Sequence, residues 1–277
     1  MMASIRHILC GGAAVLLSVA AMPAGAEAPV DLDALESAVD AGRLTQARLM
    51  IARANLAALS DPRVDMVMGR YYLAQGQDML ALDRFDHVLA LGPSPRAATG
   101  AGIIALRLNQ VARARAYFAA AVAQDPTSWQ AWNGLGIVAD AGRAWSDAEA
   151  AYARALALRP DDAALLNNKG YSLMLQRRFA EAAALLRHAS LLEPNNPRIR
   201  TNCEMAMALG GDYPGAVGAT GDDHDSARRL NNAGYAAWLK GDLPAARALL
   251  ARAIEANASY YRLAAANLET AEKDLAK

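Results

Sequence analysis

The chain has 277 residues, of which 54% are hydrophobic and 6% aromatic, and its 28 Lys and Arg balance its 28 Asp and Glu. A net charge of zero provides no field that would attract the phosphate backbone, so a nucleic-acid partner is not expected. The sequence is rich in alanine and poor in aromatic residues, which favours helices packed closely through small side chains. The composition therefore predicts an all-α protein.

The first 26 residues have the features of a secretory signal peptide. Arg6 precedes an uncharged and mostly apolar run over residues 8–21, and the small residues Ala-Gly-Ala at 24–26 suit signal peptidase. The apolar run is shorter than the ~20 residues that span a bilayer, which disfavours a membrane anchor. We therefore predict export, with cleavage after Ala26.

Downstream of this segment, four kinds of residue recur together every 33 or 34 residues. They are the glycines Gly69, Gly102, Gly136 and Gly170, the alanines Ala81, Ala114, Ala148 and Ala182, the large residues Phe85, Phe118, Tyr152 and Leu186, and the prolines Pro93, Pro126, Pro160 and Pro194. The pattern resembles the tetratricopeptide repeat, whose unit is a pair of helices. Gly and Ala allow the helices to approach closely, the large residue fills the gap between pairs, and Pro ends the second helix.

The resemblance implies a right-handed superhelical solenoid of helix pairs with a C-terminal capping helix. After the signal peptide (1–26) we predict a degenerate repeat at 27–61, six units within 62–260 and a capping helix at 261–277. The six units are 62–94, 95–128, 129–162, 163–196, 197–226 and 227–260. The fifth of these is short, and its residues 210–228 contain too much Gly, Asp and Pro for a full second helix.

The ends of the helices carry residues that suit capping. Gly76, Gly142, Gly211 and Gly241 are predicted to adopt left-handed conformations in the turns between paired helices. Three pairs of a capping residue followed by proline are predicted to start the next first helices. These pairs are Asp61-Pro62, Asp125-Pro126 and Asn196-Pro197.

No pattern of catalytic residues stands out. The HExxH, GxSxG and phosphate-loop motifs are missing from the sequence, and His87, His188 and His224 are not spaced as a ligand pair. The acidic run at 222–225 lacks the alternate-ligand spacing of a calcium loop and is interpreted as a solvated turn. We therefore predict no enzyme activity, no metal, no cofactor and no small-molecule substrate.

The first helix of each unit is expected to line a concave groove. The candidate partner-binding residues lie on these helices: Asn133, Asn167, Asn168, Asn202, Asn231 and Asn232, together with Tyr171, Met205, Tyr235 and Trp238. An amide side chain offers a donor and an acceptor that match a peptide bond, so these residues suit a protein partner or an extended peptide segment. The alternative is that the amides bond within the chain and the large residues form core between repeats.

A narrower resemblance rests on four segments: 166–176 (LNNKGYSLMLQ), 197–202 (PRIRTN), 208–213 (ALGGDY) and 230–235 (LNNAGY). With the short fifth unit, these are similar to the TadD-type assembly protein of the tight-adherence (Flp) pilus system. The chain departs from that family at Cys203-Glu204-Met205. The resemblance implies a periplasmic factor that assists assembly of the outer-membrane secretin and meets that membrane through its partner. A general periplasmic scaffold for envelope assembly, unrelated to pili, is the alternative.

Overall fold

The computed structural model describes residues 31–53, 61–218, 223–256 and 261–275. These residues form fifteen α-helices and no strand. They are α1 (Leu32–Asp40), α2 (Leu44–Arg53), α3 (Pro62–Ala74), α4 (Asp78–Leu91), α5 (Pro95–Arg107), α6 (Val111–Gln124), α7 (Trp129–Ala141), α8 (Trp145–Leu158), α9 (Ala163–Leu175), α10 (Phe179–Leu192), α11 (Pro197–Gly210), α12 (Tyr213–Val217), α13 (Asp223–Leu239), α14 (Leu243–Ala256) and α15 (Tyr261–Leu275). The predicted signal peptide lies outside the described residues.

The chain divides into two compact units, Met1–Ser60 and Asp61–Lys277. The described part of the first unit is the helix pair α1 and α2. Asp31 caps α1 by accepting a hydrogen bond from the backbone N–H of Ala34 at 2.9 Å. Leu35 and Ala38 of α1 and Ala47 of α2 are fully buried, so this pair has an apolar interface of its own.

In the second unit the helices from α3 to α14 form six pairs, and α15 follows the last pair. This confirms the all-α class and the helix-pair repeat with a C-terminal helix. In every pair except α11 and α12, the large residue of the second helix packs against a glycine of its own first helix, at what we call the glycine position (69, 102, 136, 170 and 234). An added Cβ would lie 2.7 Å from a ring atom of Phe85 at Gly69 and 2.7 Å from a ring atom of Tyr152 at Gly136.

In the first units the large residue is enclosed from two sides. The ring of Phe85 also reaches the next first helix, where a Cβ on Gly100 would lie 2.5 Å from it. Phe118 is held in the same way between Gly102 and Gly134. In these two units one large side chain is wedged between two glycines, and this wedge sets the spacing of their first helices.

Three of the four predicted left-handed glycines are confirmed. The φ angles are +73° at Gly76, +96° at Gly211 and +81° at Gly241. The prediction for Gly142 is wrong, since its φ is −89° and the next residue, Arg143, takes φ +54°. The turn requires its left-handed residue one place later than the glycine, so an arginine adopts a conformation that suits glycine better.

The capping residues behave similarly. Asp61 and Asn196 cap α3 and α11, accepting from backbone N–H groups at 2.9 and 3.1 Å. The prediction for Asp125 is wrong, because α7 begins only at Trp129. Asp125 instead accepts hydrogen bonds from the backbone N–H and hydroxyl of Thr127, at 2.9 and 2.6 Å, and so forms a turn before the helix.

The fifth pair of the second unit is irregular, as the sequence predicted. Its second helix, α12, has only five residues and is capped by Asp212. The predicted boundary between 226 and 227 is wrong because it falls inside α13, which begins at Asp223. Asp225 and Arg228 form an ion pair at 3.3 Å that stabilises the beginning of this helix.

Candidate partner-binding site

The predicted asparagines form hydrogen bonds from one first helix to the next. Asn168 on α9 donates to Asn133 on α7 at 3.0 Å, and Asn202 on α11 donates to Asn167 on α9 at 2.8 Å. We call these four side chains the amide ladder. Each bond joins residues 35 apart in sequence, so the ladder connects three consecutive units along their first helices.

Burial separates the inner and outer members of the ladder. Asn167 is only 3% exposed and offers an approaching partner almost no surface, whereas Asn133, Asn168 and Asn202 are half-buried. An amide carries two donor hydrogens and two acceptor lone pairs, and one ladder bond leaves part of that capacity unused. The ladder therefore contributes to cohesion and still presents polar groups at the surface.

The last helix closes the same row of amides. Asn267 of α15 donates to Asn231 of α13 at 3.0 Å, and Asn231 is 4% exposed. The indole of Trp238 donates to Asp274 of α15 at 2.9 Å and lies 5.4 Å from the ring of Tyr235. Trp238 thus anchors the last helix while its neighbour Tyr235 remains exposed. Asn232, one residue after Asn231, is half-buried.

Beside these amides the first helices expose large apolar side chains. Tyr171 and Leu175 on α9 are 48% and 44% exposed, and Tyr235 and Leu239 on α13 are 37% and 54% exposed. The two pairs are equivalent, since their members lie one and five residues after a glycine position. The same positions hold Ile137 and Ala141 on α7 and Met205 and Leu209 on α11.

We call these eight residues the apolar stripe. Tyr171, Met205 and Tyr235 were predicted from the sequence as partner-binding residues, but the second residue of each pair was not. The signal was available in the spacing, because a residue four positions after an exposed tyrosine lies on the same face of a helix.

A cavity of about 290 Å³ opens on the stripe between α7 and α9, and we call it the stripe pocket. Its lining is mainly apolar and consists of Ile137, Asp140, Ala141, Tyr152, Asn168, Tyr171, Leu175 and Arg198. Asp140 is the acidic residue of this lining. Its two carboxylate oxygens accept hydrogen bonds from the hydroxyls of Tyr152, at 2.8 Å, and Ser172, at 2.6 Å.

The pKa values of Asp140 and Tyr152 are both raised. Burial raises the pKa of Asp140 above its ordinary value, although the bonds from Ser172 and Tyr152 work in the opposite direction. Burial also raises the pKa of Tyr152, and the adjacent carboxylate adds to that effect. Both hydroxyls therefore stay protonated and directed at Asp140 at neutral pH.

An ionic cluster replaces the ladder between α11 and α13. Glu204 occupies the position that is glycine in the other units, and its carboxylate accepts from Arg228 at 3.0 Å. Arg228 also donates to Thr201 at 3.2 Å, and Arg200 pairs with Asp225 at 3.0 Å. The short α12 has only five residues, and Glu204 contacts Arg228 and Arg200 at this point of the array.

Among the residues that the structure describes, no group of His, Cys, Asp and Glu is arranged to hold a metal ion. Within the same residues, none of the helices is both long and apolar enough to cross a membrane. The acidic run at 222–225 begins outside the described residues. Cys203 is buried, and burial raises the pKa of its thiol.

Sequence comparison agrees with this geometry. Three overlapping segments, 66–128, 99–152 and 133–190, match the tetratricopeptide repeat family. Together the matched segments span residues 66–190. These matched residues contain the glycine positions 69, 102, 136 and 170, the Asn168–Asn133 bond of the amide ladder and the first half of the apolar stripe. No curated protein sequence matches the chain.

Several solved structures share the fold. The APC/C hetero-tetramer Cut9–Hcn1 contains a chain 16% identical that aligns over 86% of this chain and 48% of its own length, with a TM-score of 0.62. A tetratricopeptide repeat protein from Parabacteroides merdae is 12% identical over 87% of this chain and 97% of its own, with a TM-score of 0.55. YrrB, described as a tetratricopeptide repeat protein with an unusual peptide-binding site, is 18% identical over 61% of this chain and 87% of its own, with a TM-score of 0.46. For the first two of these structures the likeness concerns the superhelical helix-pair fold alone.

Proposed function

We propose that the tetratricopeptide array is a scaffold that binds an extended segment of a partner protein along the apolar stripe, and that it has no catalytic role. The observation that supports this proposal most is the exposure of Tyr171, Leu175, Tyr235 and Leu239 at repeated positions on the first helices. Covering exposed apolar surface contributes about 25 cal/mol per Å², so a row of such side chains provides binding energy.

The half-buried amides give the same surface a polar edge. Asn133, Asn168, Asn202 and Asn232 have hydrogen-bonding capacity beside the stripe, and an extended backbone needs donors and acceptors at regular intervals. In this proposal Asn167, Asn231 and Trp238 support the site from behind, while Met205 continues the apolar contact between the two tyrosines. The partner's backbone is held by the amides and its side chains by the stripe.

Binding is tested by a change that removes the stripe without disturbing the core. Tyr171→Ser combined with Tyr235→Ser should weaken binding of the partner segment at least tenfold, or about 1.4 kcal/mol. The melting temperature should hardly change, since both rings are exposed. Leu191→Ser on the second helix α10 is the matched control, because Leu191 is 76% exposed and lies outside the stripe. Equal losses for both variants would contradict the assignment.

The amides require a separate variant. Asn168→Ala with Asn232→Ala should also weaken binding about tenfold if these side chains contact the partner, at about 0.5–1.5 kcal/mol per hydrogen bond. Asn168→Ala additionally removes the bond to Asn133, so a small loss of stability is expected from that variant alone. A lower melting temperature with unchanged affinity would show that the asparagines are purely structural.

The finer role we propose is periplasmic assistance to assembly of the Flp pilus secretin. It is supported by the TadD-like segments at 166–176, 197–202, 208–213 and 230–235 and by the signal-like N-terminus. Deleting the gene in a piliated strain should leave secretin synthesised but missing from outer-membrane fractions. Normal secretin assembly in that strain would favour the general envelope scaffold instead.

Export is tested separately by mass spectrometry of a periplasmic extract, where the protein should begin at Glu27. A protein that is intact from Met1, or lipidated at Cys10, would contradict this part of the proposal.

A further inference from the structure

The carboxylates on the first helices from α3 to α11 are all engaged. Among these helices the acidic side chains are Asp65, Asp140 and Glu204. Asp65 pairs with Arg84 at 3.0 Å, Glu204 pairs with Arg228 at 3.0 Å, and Asp140 accepts two hydroxyl bonds. Each of these three carboxylates therefore already has a partner within the described part of the chain.

One guanidinium beside the stripe is not engaged. Arg198 lies in the first turn of α11, is exposed, and lines the stripe pocket. Its side chain makes no hydrogen bond or ion pair with any other side chain in the described part of the chain. Its neighbour Arg200 shows the contrast, since it pairs with Asp225 at 3.0 Å.

The repeat register explains why Arg198 has no partner. Arg198 and Arg228 occupy the same place in successive first helices, each six residues before the glycine position. Arg228 reaches back to that position of the preceding helix, where Glu204 supplies a carboxylate at 3.0 Å. For Arg198 the preceding helix has Gly170 at that position, which offers no side chain. Arg228 therefore has a carboxylate partner at this position, whereas the equivalent Arg198 has none.

We propose that Arg198 binds an acidic side chain of the partner segment, next to a large apolar side chain that fills the stripe pocket. This inference deepens the proposed function and rests on it. The cavity of about 290 Å³ lies at the small end of ligand pockets, which suits one side chain with Ile137, Tyr171 and Leu175 as its apolar walls. A lysine or arginine of the partner is disfavoured at this place, because its positive charge would be repelled by Arg198.

The test is a selection of random dodecapeptides displayed on phage against the full chain. The wild type should enrich peptides in which Glu or Asp lies within three residues of a large apolar residue. Arg198→Glu should instead enrich peptides with Lys or Arg at that place. Arg154→Glu is the matched control, since Arg154 is an exposed arginine of α8 and the change in net charge is identical. It should retain the wild-type preference.

A selected peptide is then measured by fluorescence anisotropy. Arg198→Glu should weaken its binding at least tenfold, and replacing the peptide's Glu by Gln should weaken binding to the wild type about fivefold. Amidating the peptide's C-terminus should have no effect, because the acid is proposed to be a side chain within the segment.

The outcomes separate the two levels of the proposal. Enrichment of apolar peptides without acidic residues, or an unchanged preference in Arg198→Glu, would overturn the role of Arg198 and leave groove binding intact. Enrichment of the same peptides by Tyr171→Ser with Tyr235→Ser, or no enrichment by the wild type, would overturn the groove itself.

Discussion

The wedge between successive units makes a sharp prediction at Gly134. A Cβ added there would lie 2.5 and 2.6 Å from two ring atoms of Phe118, closer than real Cβ contacts. The ring cannot retreat, because it is fully buried and is held from the other side by Gly102, where a Cβ would meet it at 2.6 Å. Overpacking costs about 1–3 kcal/mol of stability, and replacing Gly by Ala within a helix offsets about 0.5–1 kcal/mol of that cost. Gly134→Ala should therefore destabilise the protein by about 1–2 kcal/mol.

The measurement is urea unfolding followed by circular dichroism, with two companion variants. Gly210→Ala is the control, because a Cβ there would lie at an ordinary 3.6 Å from Phe179, so stability should be unchanged or slightly higher. Adding Phe118→Leu to Gly134→Ala should recover part of the loss, since the ring atoms that clash are removed. A Gly134→Ala protein as stable as the wild type would refute the wedge as the device that sets the spacing.

Three further variants examine other parts of the structure. Ala148→Leu places extra atoms at a fully buried position and should cost about 1–3 kcal/mol, so an unchanged melting temperature would contradict the register. Arg143→Gly should raise the urea midpoint. An arginine in the left-handed conformation costs about 1–2 kcal/mol, and the greater flexibility of glycine in the unfolded chain offsets only about half of the gain from removing that cost. A lower midpoint would count against strain in this turn. Asp140 has a pKa above its ordinary 3.8, so its contribution to stability is fully present below that value and is lost as the pH rises through the folded-state pKa. Relative to Asp140→Asn, the wild type should therefore gain stability on acidification, and a relative loss in calorimetry would reverse the assignment.

The fold was predictable because each unit repeats the same packing solution. Gly136 and Tyr152 recur in register with their equivalents, and such a match between small and large residues leaves few alternatives for the arrangement of the helices. The wrong predictions lie in turns, where the backbone conformation depends on a single residue. Gly142 was a plausible left-handed residue, but the backbone places that conformation at Arg143. Asp125 was a plausible cap, but its side chain bonds Thr127 instead.

The candidate site was predictable only in part. The sequence shows that Asn168, Asn202 and Asn232 share one helical phase and that Asn133, Asn167 and Asn231 lie one place earlier. It does not show the distance between neighbouring helices. That distance decides whether one amide reaches the next or a partner. The pairing of Glu204 with Arg228 could not be predicted from the sequence for a related reason. It depends on how closely the short α12 allows α11 and α13 to approach each other.

The amide ladder also bears on how such an array changes in length during evolution. In-frame loss of residues 163–196 would bring Asn202 to the place now held by Asn168, facing Asn133 with the same donor. The amide ladder would therefore remain continuous after gain or loss of such a unit. Loss of the fifth unit would instead remove Glu204 and leave Arg228 facing Gly170, without the carboxylate that it pairs with now. The irregular unit thus marks the point at which the length of the array is constrained.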